Sequence, residues 1–113
     1  AAPGVTAAWS AGDAGTVVRL TTNGFGGAID LMVGVDKENK VTGVAIISHS
    51  ETASLGANCT REDFRAQFAG KTGELAVTKD GGDIDALTGA TVTSRAVTRA
   101  VNAALAYAGE VQK

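Results

Sequence analysis

The chain has 113 residues, a net charge of -2, 44% hydrophobic and 19% charged residues, the balance of one globular domain able to bury its own core rather than of a disordered segment. A pI near 5.2 and 4% aromatics argue against a nucleic-acid partner, which calls for a basic face or stacking platforms. Cys59 is the single cysteine, which excludes an internal disulfide and a thiolate metal site.

Residues 1–15 are small and polar, with neither a charged start nor an apolar stretch of signal-peptide type. They read as a linker or truncated N-terminal region, and 16–113 as the domain. No run reaches 18 apolar residues, so no segment reads as a membrane-spanning helix. Trp9 falls in the linker, exposed or packed on the sheet.

Residues 16–22 (TVVRLTT) are β-branched and predict a strand. Glycines around Phe25 mark a turn. Ile29, Leu31, Val33 and Val35 then alternate with Asp30, Met32, Gly34 and Asp36, the period of a strand with one buried face. The polar stretch 36–40 predicts a tight turn into a third strand, 41–48 (VTGVAIIS), which makes an antiparallel hairpin. A polar loop follows over 49–58. Thr60 is placed to cap a short helix with acids in its first turn; Phe64 and Phe68 share one face of it, and Gly70 ends it. Residues 73–78 (GELAVT) predict a further strand and 80–83 a turn. Val97, Val101, Ala104, Leu105 and Ala108 repeat at helical spacing across 94–108, with Arg95, Arg99 and Asn102 on the solvated side and Gly109 as the residue past the end. The expected fold is α+β: a small antiparallel sheet of about four strands or more, the C-terminal helix on one face, and one shorter helix.

The segment 85–94 (DALTGATVTS) stands directly before the long helix. Thr88, Thr91, Thr93 and Ser94 crowd four hydroxyls into seven positions around Gly89 and Ala90. A helix start offers free N–H groups and a positive dipole end, which favour an anion, phosphate above all. Small residues let a ligand approach the backbone, and a hydroxyl can donate to a phosphate or become its ester. The same hydroxyls also suit an ordinary N-cap, although a helix needs only one. Asp80, Asp83 and Asp85 read as a solvated turn, with cation binding the alternative.

This segment resembles the flavinylation motif of FMN-binding domains, which occur in the Rnf electron-transport complex, in its G subunit, and in the sodium-translocating NADH:quinone oxidoreductase, in its C subunit. The family motif runs D-x-x-S/T-G-A-T/S, and the hydroxyl after the alanine is esterified to the FMN phosphate. The resemblance makes Thr91 the attachment residue, with Thr88, Gly89, Ala90, Thr93 and Ser94 around the cofactor and Asp85 as the leading acid. A second segment, His49, Ser50, Glu51, Thr52, Ala53, Ser54, Leu55 and Gly56, is similar to the family loop H-x-E-T-x-x-L-G, with Ala53-Ser54 where the family usually has Pro-Gly. That likeness implies that His49, Glu51, Thr52, Leu55 and Gly56 lie near the flavin, and that the 49–56 loop rests against the turn at 88–91.

The function implied is electron transfer by an FMN domain, a redox carrier rather than a stand-alone catalyst, in a membrane-bound ion-translocating oxidoreductase of Rnf type. Its partners would be a flavin transferase using FAD and magnesium, and other redox subunits. Its place would be the extracytoplasmic side of a bacterial membrane, held by an anchor absent from this chain. No catalytic residue is assigned: His49 and Glu51 lack the partner groups that general acid–base or metal chemistry requires, and no metal ligand set stands out. Cys59 has no assigned role. An extracellular electron-transfer flavoprotein or the flavin-loading domain of a larger reductase is the near alternative. A non-redox binding domain with a hydroxyl-rich helix cap, or a small enzyme holding a phosphorylated metabolite at the helix end, belongs to another class.

Overall fold

In a computed structural model the chain is described over residues 4–10, 12–23, 27–49, 62–86 and 91–111. Four strands, β1 (Gly4–Ser10), β2 (Thr16–Asn23), β3 (Ala28–Val35) and β4 (Val41–His49), pair in sequence order as an antiparallel sheet. A single helical turn, α1 (Glu62–Arg65), continues as a 3-10 turn, Ala66–Phe68. The long helix α2 spans Thr91–Val111, roughly 30 Å at about 1.5 Å per residue, enough to run the length of the sheet.

The alternation of β2 and β3 sends Val18, Leu20, Ile29, Leu31, Val33 and Val35 into the core and leaves Val17, Arg19, Asp30 and Met32 half-buried on the other face. There Arg19 donates two hydrogen bonds to Asp30, at 3.1 and 2.5 Å. α2 closes the core face with Ala96, Val97, Ala100, Val101, Ala104, Leu105 and Ala108. Alanines four apart put the helix backbone close to the sheet. Phe64 and Phe68 meet edge to face, centroids 5.6 Å apart, and plug the core beside β4. Each such side chain contributes about 1.5–3 kcal/mol when fully buried. Arg65 donates to the Val44 carbonyl at 2.8 Å, and the backbone of 70–71 pairs with Val41.

The α+β expectation holds, including the hairpin at 36–40. There Asp36 Oδ1 accepts from the N–H groups of Glu38 and Lys40, each at 2.9 Å, and Asn39 takes a left-handed φ of 63°.

Three local expectations are corrected. The stretch 1–15 reads as linker, yet it carries β1, whose partner is β2, with a bulge between Val5 and Ala7. A close approach makes this return possible: at Gly15, φ 112°, an added Cβ would fall 2.0 Å from the Val35 carbonyl oxygen.

Residues 73–78 form no strand. The Asn102 side chain on α2 takes both backbone groups of Leu75, accepting its N–H at 2.7 Å and donating to its carbonyl at 2.8 Å. Val77 makes only an isolated bridge to Ile84 before the 3-10 turn Thr78–Asp80. The turn folds tightly: a Cβ on Gly82 would sit 1.9 Å from the Ala76 oxygen.

The long helix is longer than 94–108 at both ends, and Gly109 lies inside it rather than past it. Glycine costs a helix interior about 1 kcal/mol, an amount that tertiary packing beside Asn39 outweighs. Thr60, expected as a helix cap, lies outside the described residues; Gly70, at φ 78°, ends that short helix as expected.

Candidate functional site

The hydroxyl-rich segment enters from a clamped position. The Gln67 side-chain amide accepts from the Asp85 N–H at 2.7 Å and donates to the Asp85 carbonyl at 3.0 Å, so both backbone groups of Asp85 are held while its carboxylate stays exposed. Thr88, Gly89 and Ala90 lie outside the described residues. α2 then opens on Thr91, which is half-buried, and Val92, which is exposed. Thr93 and Ser94 turn inward and are 0% exposed.

The first turn of α2 holds no acidic residue. No acid on the helix itself therefore offsets the positive end of its dipole. One turn beyond Thr91 and on the same face, the Arg95 guanidinium donates two hydrogen bonds to the Asp80 carboxylate, both at 2.8 Å. That hydrogen-bonded partner raises the Arg95 pKa above its usual value. Thr98 lies inside, its hydroxyl donating to the Ser94 carbonyl at 2.8 Å. Asp80, Arg95, Thr98, Arg99 and Asn102 line a cleft of about 160 Å³ along this half of the helix.

Two ties fix the direction of α2 over the sheet. Arg99 donates to the carbonyl of Asn23, the last residue of β2, at 3.4 Å, whereas Gly109 faces Asn39 in the β3–β4 turn. The helix therefore starts at the end of the sheet where β2 and β4 finish. His49 ends β4 at that same end, paired with Ile29, so Thr91 and His49 are brought to one end of the fold although 42 positions separate them. Among the described residues, two buried polar atoms there find no hydrogen-bond partner, His49 Nδ1 and Thr22 Oγ1.

Of the residues singled out in the sequence, Asp85, Thr91, Thr93, Ser94 and His49 are thus located. Glu51, Thr52, Leu55, Gly56 and Cys59 lie outside the described residues, as does the contact expected between 49–56 and 88–91. The roles of Gln67, Asn102, Arg95 and Thr22 escaped the sequence reading, which placed Arg95 and Asn102 on a solvated helix face and Thr22 in a strand. Gln67 and Asn102 act on backbone groups, which no side-chain motif records, and a threonine in a strand is an ordinary β-former. A larger cleft of about 350 Å³ lies beside Trp9, Lys37, Tyr107 and Val111. Tyr107 is roughly 24 Å along the helix from Thr91 at about 1.5 Å per residue, so that cleft is remote from this end. Among the described residues no three His, Cys, Asp or Glu side chains gather as a metal site would require, and no helix is long and apolar enough to cross a membrane.

Comparison with known families decides what kind of domain carries this arrangement. The family model of the FMN-binding domain matches residues 24–106, from just after β2 through most of α2. The chain belongs to the FMN-binding domain family. This FMN-binding domain is 46% identical over 93 residues to the G subunit of the proton-translocating ferredoxin:NAD(+) oxidoreductase complex of Clostridium ljungdahlii, covering 79% of this chain and 50% of that protein. It is 44% identical over 103 residues to the G subunit of the ion-translocating oxidoreductase complex of Salmonella typhimurium, covering 84% and 50%. Against the protein of the same name in Methanosarcina acetivorans it is 38% identical over 95 residues, covering 82% and 50%. The chain spans about half the length of these curated relatives. The likeness read from two short motifs is borne out across most of the domain.

Proposed function

We propose that this domain is an electron carrier whose FMN is joined by a phosphoester bond to Thr91. The observation that carries the proposal is the position of Thr91: the first residue of α2, half-buried, in a first turn without an acid, inside the span matched by the FMN-binding domain. The residues present fit the group. A helix start receives a phosphate, and the unpartnered Thr22 Oγ1 and His49 Nδ1 leave hydrogen-bonding capacity unused at that end.

When bound, the isoalloxazine supplies the redox chemistry, taking up and passing on one or two electrons. The chain's own residues anchor and orient. Thr91 provides the ester oxygen. Gln67 holds the entry to the motif through the Asp85 backbone. The buried Thr93 and Ser94 pin the first turn to the core, and the Asp80–Arg95 pair keeps a guanidinium one turn behind the attachment residue. Thr88, Gly89, Ala90, Glu51, Thr52, Leu55 and Gly56 are assigned to the cofactor by their places in the two motifs alone.

Maturation then depends on a flavin transferase that uses FAD and magnesium. The names of the relatives speak of proton or ion translocation in multi-subunit oxidoreductase complexes. By that likeness, the domain works with other redox subunits and exchanges electrons with neighbouring centres; we place it at a membrane, on the extracytoplasmic side. Co-expression with a flavin transferase tests the reading. The purified domain is then yellow, and the colour stays with the polypeptide through denaturation and desalting. Colour that leaves on denaturation contradicts the ester. A protein that stays colourless beside a control domain loaded under the same conditions favours the hydroxyl cluster as a mere helix cap.

A further inference from the structure

Asp80 and Arg95 meet where the 3-10 turn Thr78–Asp80 comes against the early part of α2. Only one edge of the guanidinium is used. Its Nε and Nη2 each donate to a different oxygen of the carboxylate at 2.8 Å. A guanidinium is a planar fork with five N–H donors, so the edge that bears Nη1 is left over. Among the described residues no acceptor meets that edge. The Arg95 side chain is 41% exposed and lines the 160 Å³ cleft, so a ligand can reach it without opening the core.

One turn earlier on the same face stands Thr91. Side chains four apart on a helix are neighbours, their Cβ atoms about 5–6 Å from each other. A long helical side chain also leans toward the N-terminus, which sets the residue at 95 over the turn that Thr91 opens. An ion pair this exposed contributes little to stability. Its two-point geometry does something else: it fixes the plane of a cation whose second edge stays free beside the attachment residue.

Resting on the FMN reading above, we propose that Arg95 is a positioning residue for the FMN phosphate, its free edge donating to the non-bridging oxygens of the phosphodiester on Thr91 while Asp80 holds the other edge. The ester leaves the phosphate one negative charge shared by those two oxygens, an arrangement that a guanidinium fork matches. No acid in the first turn of α2 competes for the cation. Held in this way, the phosphate sets the direction in which the ribityl chain leaves the helix.

The test compares wild type, Arg95→Gln, Arg95→Lys and Asp80→Asn, each expressed without and with a flavin transferase. Adduct is measured by intact mass, melting temperature by calorimetry, and the surroundings of the ester by phosphorus NMR of the loaded fraction. R95Q lowers the melting temperature of the loaded protein more than that of the unloaded one, and added salt narrows the difference. Its phosphorus resonance is displaced from wild type in the folded protein and coincides with it in denaturant. R95K, which keeps the charge without the fork, and D80N, which keeps the fork without the hold, are each displaced less. A loss in R95Q of equal size with and without flavin overturns the proposal, because the pair then serves the fold alone. A folded, loaded R95Q with the wild-type resonance overturns it equally, and D80N identical to wild type overturns the role given to Asp80. Wild type that gains no adduct beside a loaded control removes the FMN reading and this proposal with it; loaded wild type matched by R95Q removes this proposal alone.

Discussion

The two halves of α2 bury different chemistry against the same sheet. From Ala100 to Ala108 the fully buried residues of the helix are all apolar, Ala100, Val101, Ala104, Leu105 and Ala108, and its end packs beside the hairpin turn at Asn39. From Thr91 to Thr98 it buries Thr93, Ser94 and Thr98 among its apolar contacts, near the end of β2 that carries Thr22. Thr16 apart, these four are the buried polar side chains among the described residues. One half is built as a domain core is built, from apolar area. The other yields some of that area to groups that must each find a hydrogen bond, and at Thr22 and His49 the bond is missing. The hairpin end of the helix buries apolar residues alone, and the end that bears the FMN motif buries hydroxyls beside them.

Leu105→Ala breaks this comparison hardest. Leu105 is nearly fully buried, and its truncation in the apolar half costs about 2–5 kcal/mol through lost transfer energy and the cavity left behind, measured by denaturant unfolding. It leaves flavin loading intact under conditions where the domain remains folded. A loss of loading out of proportion to the loss of stability would show that the two halves are not separate in function.

Thr98→Val tests the polar half. The shape is kept and the bond to the Ser94 carbonyl is lost; that oxygen is still within reach of the helix ladder, so the cost is about 0.5–1.5 kcal/mol. Set beside Thr22→Val, the same exchange then has opposite signs at two buried sites of one interface, one hydroxyl partnered and the other not. Equal losses at both would erase the distinction.

The open face of the sheet gives the smallest effect. Hydrogen bonding to Arg19, reinforced by its charge against an opposing effect of desolvation, lowers the Asp30 pKa from its ordinary 3.8. A carboxylate lowered in the folded state adds stability above its unfolded pKa, and that addition disappears as pH falls through the lower folded value. Asp30→Asn therefore flattens the acid limb of the stability curve: the variant is less stable than wild type near neutrality and converges on it as pH falls. The pair is half-buried but reached by solvent, so salt reduces the difference. Unfolding curves from pH 7 down to pH 2 measure it, and an unchanged acid limb counts against the pair.

How much of this was legible in the sequence follows from where the signal resides. β2, β3 and β4 were readable because β-branched residues alternate with polar ones when one face is buried. β1 was not: Gly4–Ser10 is rich in small residues, and its flanks are exposed, so no burial pattern marks it as the edge of a sheet. Residues 73–78 have strand-like composition, but their backbone is captured by a side chain from 27 positions away, which local pattern does not reveal. α2 was readable in its apolar half and underestimated in its polar half, where threonines and a serine signal a cap rather than three buried helical residues. At the site the motif around Thr91 was legible because its chemistry lies in consecutive residues. The pairing of Asp80 with Arg95 was not, since local pattern gives Arg95 only a solvated helix face and Asp80 only a polar turn.

The central claim, that FMN is carried on Thr91, is tested most directly by intact mass after co-expression with a flavin transferase. Wild type gains the mass of FMN less one water, and the gain persists after denaturation. Thr91→Ser gains the same, since its hydroxyl is equivalent. Thr91→Ala gains nothing while keeping its fold, at a cost no greater than about 1 kcal/mol, that of a lost capping interaction. A Thr91→Ala protein that carries the full adduct would contradict the account and move the ester to another hydroxyl of the motif.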